Sequence, residues 1–93
     1  MYLQVGQIVI SKAGRDRGLP FVIVGVEGDY AFLVNGKSRG LDSPKRKKAK
    51  HLQPVNYVDK NLAHLITTGA YLKDADFRAA IKMALNKEDF SHG

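Results

Sequence analysis

The chain has 93 residues, of which 44% are hydrophobic, and it carries a net charge of +6. This length suffices for one small domain with a modest core, and the apolar content is too high for a disordered chain. Cysteine is absent, which excludes disulfides, thiolate zinc sites and a thiol nucleophile.

Short β-strands are predicted for the first half of the chain. The segment 7–11 is rich in β-branched residues, and the apolar segment 21–26 predicts a second strand after a loop that contains two glycines. A third strand is predicted over 30–34. The N-terminus lacks the features of a signal peptide, and 21–26, the longest apolar run, is too short to cross a membrane, so we expect a cytoplasmic protein without a membrane partner.

A hairpin turn after the third strand is predicted at Asn35-Gly36. This pair is a strong hairpin signal because both residues accept a positive φ. Residues 37–39 would then form the returning strand, and a last strand around 49–52 would end at Pro54. Five short strands within about fifty residues predict a small antiparallel barrel, because closure removes exposed sheet edges.

Helices are predicted for the second half. Asp59 can cap a helix over residues 60–66, and Gly69 is placed to end it. The sequence therefore predicts two parts, a β domain over residues 1–56 and a helical extension over residues 57–93 that packs on it.

A second, stronger helix is predicted to begin at Asp74, the expected N-cap, with Asp76 favourable to the helix dipole. Phe77, Ile81 and Leu85 repeat on one face of this helix. Because the second predicted strand is apolar on both faces, we expect this stripe to cover one of them.

The positive charge is confined to the first half. Residues 1–56 hold ten Lys and Arg against four acids, whereas residues 57–93 hold five of each. Within the first half, five of the six residues in 45–50 are Lys or Arg, directly before His51. Clustered cations gain affinity for polyanions by releasing the counterions of phosphates, so nucleic acid is the expected partner.

The order of these features resembles a KOW motif. Residues 5–18, followed by 21–26, have the strand–loop–strand pattern of that motif, with Gly18 at its signature position, and the resemblance continues to residue 53. The segment is similar to single-KOW large-subunit ribosomal proteins of archaea and eukaryotes and to small bacterial KOW proteins. The resemblance implies a five-stranded SH3-like barrel that binds RNA, most often ribosomal RNA of the large subunit.

The candidate RNA contacts are the basic residues of the loops, the strand ends and the basic tract: Lys12, Arg15, Arg17, Lys37, Arg39, Lys45, Arg46, Lys47, Lys48, Lys50 and His51. Asp16 is expected to stabilise its own turn, and Gly18 to serve backbone conformation. Phe32 is expected in the core, whereas Tyr30 is either a core residue or a stacking platform for a base.

Other classes of function are less well supported by the residues. His51, His64 and His92 lack metal-ligand spacing, and no catalytic constellation or phosphate-binding loop is recognisable, so we expect neither an enzyme nor a cofactor or metal. Two alternatives stay open: a protein-binding SH3-like adaptor and a KOW module of transcription elongation. A further alternative is a bifunctional adaptor, with the barrel on RNA and the C-terminal helices on a protein partner.

Overall fold

The computed structural model describes residues 2–92, and the side chains as far as Asn86. Its fold is mainly β with C-terminal helices, as predicted. The strands are β1 (Gln7–Ser11), β2 (Pro20–Glu27), β3 (Tyr30–Val34), β4 (Lys45–Lys48) and β5 (Leu52–Val58), and the helices are α1 (Lys60–Thr67) and α2 (Asp74–His92). The strands form one antiparallel sheet in the order β4-β3-β2-β1-β5.

The sheet coils strongly. Its two edges, β4 and β5, are joined by one turn of 3-10 helix, Ala49–His51. The edges of a flat five-stranded sheet would lie about 19 Å apart, whereas three residues of 3-10 helix rise only about 6 Å. Register shifts between Gln7 and Val9 and between Ile23 and Gly25 help the strands to bend. Within the described residues β4 and β5 do not pair, so the coiled sheet stays open.

Each face of the sheet has its own core. The concave core contains strand residues only, all at most 1% exposed: Val9, Phe21, Ile23, Ala31, Leu33 and Leu52. The second core joins the opposite face to both helices: Ile8, Val22, Val34, Val55, Leu62, Phe77, Ala80, Ile81 and Ala84. The predicted cover of β2 is confirmed, since Phe77 and Ile81 are buried there and Leu85 packs at the margin of the same core.

The predicted hairpin at Asn35-Gly36 is wrong. Only Gly36 has a positive φ, at 74°, and residues 37–39 are not a strand. Instead, Asn35 Oδ1 accepts hydrogen bonds from the backbone N–H groups of Lys37 and Arg39, at 2.9 and 3.0 Å. These bonds close a compact loop, and β3 pairs with β4 further along the chain.

The last predicted strand is also displaced. Residues 49–51 form the 3-10 turn, and the strand begins at Leu52 and continues through Pro54 to Val58. Pro54 is tolerated because β5 is an edge strand that pairs only with β1, so the proline's missing N–H interrupts no second ladder.

The helix ends follow local side-chain chemistry. Asp59 Oδ1 accepts a hydrogen bond from the N–H of Leu62 at 2.9 Å, which confirms the predicted cap of α1. Gly69, with φ 75°, follows the end of this helix.

In α2 the predicted N-cap is off by one residue, because Asp74 already lies in the first turn. Asp76 Oδ2 accepts from the N–H of Lys73 at 2.8 Å and closes that end. Among the described residues, neither helix is both long and apolar enough to span a membrane.

Candidate nucleic-acid interface

The basic tract is an edge strand, and its side chains alternate between the two faces of the sheet. Lys45 and Lys47 lie opposite Leu33 and Ala31 and therefore share the concave face. Arg46 and Lys48 point to the other face and are exposed. A tract predicted as one basic surface is thus divided into two pairs with different surroundings.

Lys47 is bound within the protein. Its ammonium donates to Asp16 Oδ1 at 2.5 Å, to Ser11 Oγ at 2.8 Å and to the backbone oxygen of Ala13 at 2.7 Å. An ammonium has three N–H donors, so these contacts use all of them. Its side chain is only 10% exposed. Lys47 is therefore a structural residue that links β4 to β1 and to the loop after it.

Asp16 is the acceptor at the centre of this network. Oδ1 also accepts a hydrogen bond from Ser11 Oγ at 2.6 Å, while Oδ2 faces the Lys45 ammonium at 3.2 Å and pairs with it by charge, without a well-directed hydrogen bond. Burial alone would raise the pKa of Asp16, but the contacts with Lys47, Ser11 and Lys45 outweigh it and lower the pKa from 3.8 to about 2. Asp16 therefore ties two distant segments together, in addition to stabilising its own turn.

The loop between β1 and β2, residues 12–19, is closed by its own backbone. Gly18 donates to the oxygen of Ser11 at 2.8 Å, and Leu19 donates to the oxygen of Asp16 at 2.9 Å. Gly18 has φ 88°, a conformation that L side chains rarely adopt, so its predicted conformational role is confirmed.

The exposed cations of this loop lie at one end of the sheet. Arg15 and Arg17 flank the buried Asp16 and are both exposed. Lys12, also exposed, donates its backbone N–H to the oxygen of His51 at 2.8 Å, which joins the loop to the 3-10 turn. Lys50 is exposed on that turn, and the side chain of His51 is half-buried. The sequence-predicted residues of these two segments are therefore brought together.

The outer pair of the tract is arranged around Tyr30. The Arg46 guanidinium carbon lies 3.5 Å from the centroid of the Tyr30 ring, and Lys48 Nζ lies 5.8 Å from it. One face of the half-buried ring is thus covered, so Tyr30 acts as a support for Arg46. The expected core position of Phe32 is wrong, since Phe32 is half-buried opposite Arg46 while Ala31 and Leu33 take the concave face.

Two predicted contacts lie elsewhere. Lys37 is exposed on the loop after β3 and lines a groove beside α2, where its neighbours include Arg78 and Lys82. Arg39 is half-buried, and its backbone closes the loop through Asn35. Both residues lie in the ten-residue loop 35–44 that precedes β4, outside the basic tract.

Sequence reasoning missed the Asp16 network and the Tyr30–Arg46 stack. Recognising 45–48 as a strand would have predicted that its side chains alternate between two faces, but not that Asp16 and Tyr30 are their partners. In the part of the chain whose side chains are described, no three His, Asp or Glu residues gather in a way that could hold a metal ion. No protein-family model matches the chain.

Proposed function

We propose that this chain is a cytoplasmic binding protein for structured RNA, with a KOW-type SH3-like fold and no catalytic role. Ribosomal RNA of the large subunit is the proposed partner. The observation that carries the proposal is a set of exposed cations along one end and one edge of the coiled sheet: Lys12, Arg15, Arg17, Arg46, Lys48 and Lys50.

Support for these cations comes from the side chains beneath them. Asp16 and Lys47 anchor the loop that carries Arg15 and Arg17, and Tyr30 orients Arg46. Cations that are already positioned lose less conformational entropy when phosphate binds than cations on a flexible tail. Backbone phosphate contacts of this kind place a protein on RNA but do not read its sequence.

The proposed fold rests on two features of the sheet. The 3-10 turn brings its edge strands together, and Gly18 holds a positive φ in the loop between β1 and β2, at the position where the KOW pattern has its glycine. The concave core of strand residues alone is what a small barrel would enclose.

Titration of a labelled RNA hairpin over a range of salt concentrations tests the proposal. Log K should fall with log salt by roughly 0.7–0.9 per phosphate contact. A variant with Arg15, Arg17, Arg46 and Lys48 changed to Ala should bind at least about tenfold more weakly, with the slope reduced by about 3. Lys60→Ala with Lys73→Ala is the control, since both lie on the neutral half of the chain and are exposed.

A flat salt dependence in the parent protein, or equal losses in the variant and its control, would contradict RNA binding through these residues. Sedimentation of a lysate at high salt tests the ribosomal part separately. The protein should travel with the large subunit, and RNA binding without co-sedimentation would favour a partner RNA outside the ribosome.

A further inference from the structure

A groove of about 790 Å³ lies between α2, the end of the loop before β2 and the loop after β3. It is on the side of the molecule where α2 covers the sheet, and none of its lining residues belongs to the basic tract. The lining residues that bear on its chemistry are apolar at Leu19, Pro20 and Leu85 and cationic at Lys37, Arg78 and Lys82.

The floor of the groove is apolar. Leu19 is 43% exposed, Pro20 and Leu85 are half-buried, and Ile81 is buried. Leu19 and Pro20 come from the chain before and at the start of β2, whereas Ile81 and Leu85 come from α2, so apolar surface from two parts of the chain lines the groove. The volume falls within the range of about 300–1,000 Å³ typical of ligand sites.

The rim of the groove is cationic. Lys37, Arg78 and Lys82 are exposed, and Arg78 and Lys82 are one helical turn apart on α2. Arg78 Nη1 donates to the backbone oxygen of Gly36 at 2.6 Å, which fixes the guanidinium while its other N–H groups stay available. None of the described lining residues is a carboxylate or an aromatic residue.

We propose that this groove binds an acidic, amphipathic segment of a protein partner, with leucine-type side chains on the floor and carboxylates on the three cations. Charge complementarity selects an acidic occupant. The apolar floor then favours a peptide, because phosphates would engage the cations alone, whereas an amphipathic peptide also buries apolar side chains on the floor. This site is independent of the proposed RNA contacts and would let the protein join RNA to a second macromolecule.

The test uses a fluorescein-labelled helical peptide of about a dozen residues, with two leucines one turn apart and glutamate at most other positions. Fluorescence anisotropy measures its binding to the full chain. Two matched peptides replace either the leucines by serine or the glutamates by lysine. We expect both to bind at least about tenfold more weakly than the parent peptide.

Variants of the protein locate the site. Lys82→Glu should weaken binding of the parent peptide at least about tenfold, and Lys37→Glu, on a different element, should do the same. Lys60→Glu makes the same change of net charge outside the groove and should leave binding nearly unchanged. Circular dichroism of each variant separates loss of the groove from loss of the fold.

Equal effects of Lys82→Glu and Lys60→Glu, or equal binding of the leucine and serine peptides, would overturn the proposal. It is also overturned if an RNA hairpin displaces the peptide and Lys82→Glu lowers RNA affinity in parallel. In that case the groove would be part of the nucleic-acid interface.

Discussion

The ammonium of Lys47 donates a hydrogen bond to the carboxylate of Asp16, 31 residues earlier in the chain, and both side chains are 10% exposed. Two further acceptors, Ser11 Oγ and the oxygen of Ala13, complete the coordination of the ammonium. A lysine at the centre of a basic tract is thereby withdrawn from solvent. It connects the edge strand β4 to the loop that displays Arg15 and Arg17.

Loss of this lysine should therefore destabilise the fold. Lys47→Met leaves the Asp16 carboxylate with only Ser11 and Lys45 as partners, and the loss should reach about 2 kcal/mol, below the roughly 3–5 kcal/mol of a buried charge left without any partner. Urea unfolding measures the loss. Lys48→Met is the matched control on the same strand and should change the free energy of unfolding by about 0.5 kcal/mol or less. A Lys47→Met protein as stable as its control would show that the network contributes nothing.

The same network should make stability depend on pH in acid. The pKa of Asp16 is about 2 in the folded protein and 3.8 in the unfolded reference, so the unfolded chain binds the proton first as pH falls. The contribution, about 2 kcal/mol, is fully present above about pH 5, and most of it is lost as pH falls from 4 to 2.

Asp16→Asn isolates that contribution, because amide and carboxylate are similar in shape. The difference in unfolding free energy between parent and Asp16→Asn should shrink as pH falls from 4 to 2. A difference that stays constant over this range would show that Asp16 titrates alike in both states.

The glycines Gly6 and Gly18 form a matched pair, because φ is 89° at the first and 88° at the second. A Cβ at Gly18 meets nothing within 4 Å, whereas one at Gly6 would lie 2.7 Å from the Cβ of Ala63 and from the backbone oxygen of Asp59. Gly18→Ala should cost about 1–2 kcal/mol from conformation alone. Gly6→Ala should cost more, by about 1–3 kcal/mol of overpacking.

Thermal and urea unfolding of the two alanine variants check this order. RNA affinity of Gly18→Ala, measured where the protein is folded, should equal that of the parent. Equal destabilisation at the two positions would mean that α1 moves away from Gly6 without cost.

Helix α2 should contribute to stability through Ile81. This side chain is 8% exposed in the core shared by the sheet and the helices, and its truncation to Ala should cost about 2 kcal/mol or more. Met83 lies on the same helix and is 52% exposed, so Met83→Ala should cost about 0.5 kcal/mol or less. Similar melting temperatures for the two variants would argue that α2 is not held on the sheet.

Two variants of Arg46, which stacks on Tyr30, separate the effect of its charge on RNA binding from the effect of its planar shape on stability. Arg46→Ala should lower the salt slope of RNA binding by roughly 0.7–0.9, whereas Arg46→Lys keeps the charge and should keep the slope. Since Lys lacks the planar guanidinium, Arg46→Lys should lower the free energy of unfolding by part of the about 0.5–1 kcal/mol of an exposed cation–π contact, and Arg46→Ala by all of it. An unchanged slope in Arg46→Ala would remove Arg46 from the proposed interface.

Several elements could be read from local sequence because local interactions form them. The bounds of β1 and β3 follow from apolar and β-branched runs bounded by turn residues, and α1 follows from the cap at Asp59 and the stop at Gly69. The segment 35–48 could not be read in this way. The local signal at Asn35-Gly36 favoured an immediate return, whereas pairing with β3 selected Lys45–Lys48.

The sequence by itself determined that the first half of the chain carries the whole charge excess, and this supports a polyanionic partner. Only the tertiary structure decided which cations stay available to it. A strand alternates its side chains between two faces, so adjacent lysines meet different surroundings. Lys47 finds Asp16 and is left with a side chain only 10% exposed, whereas Lys48 stays exposed near Tyr30. Since Asp16 lies 31 residues from Lys47, no local pattern in the tract could reveal that difference.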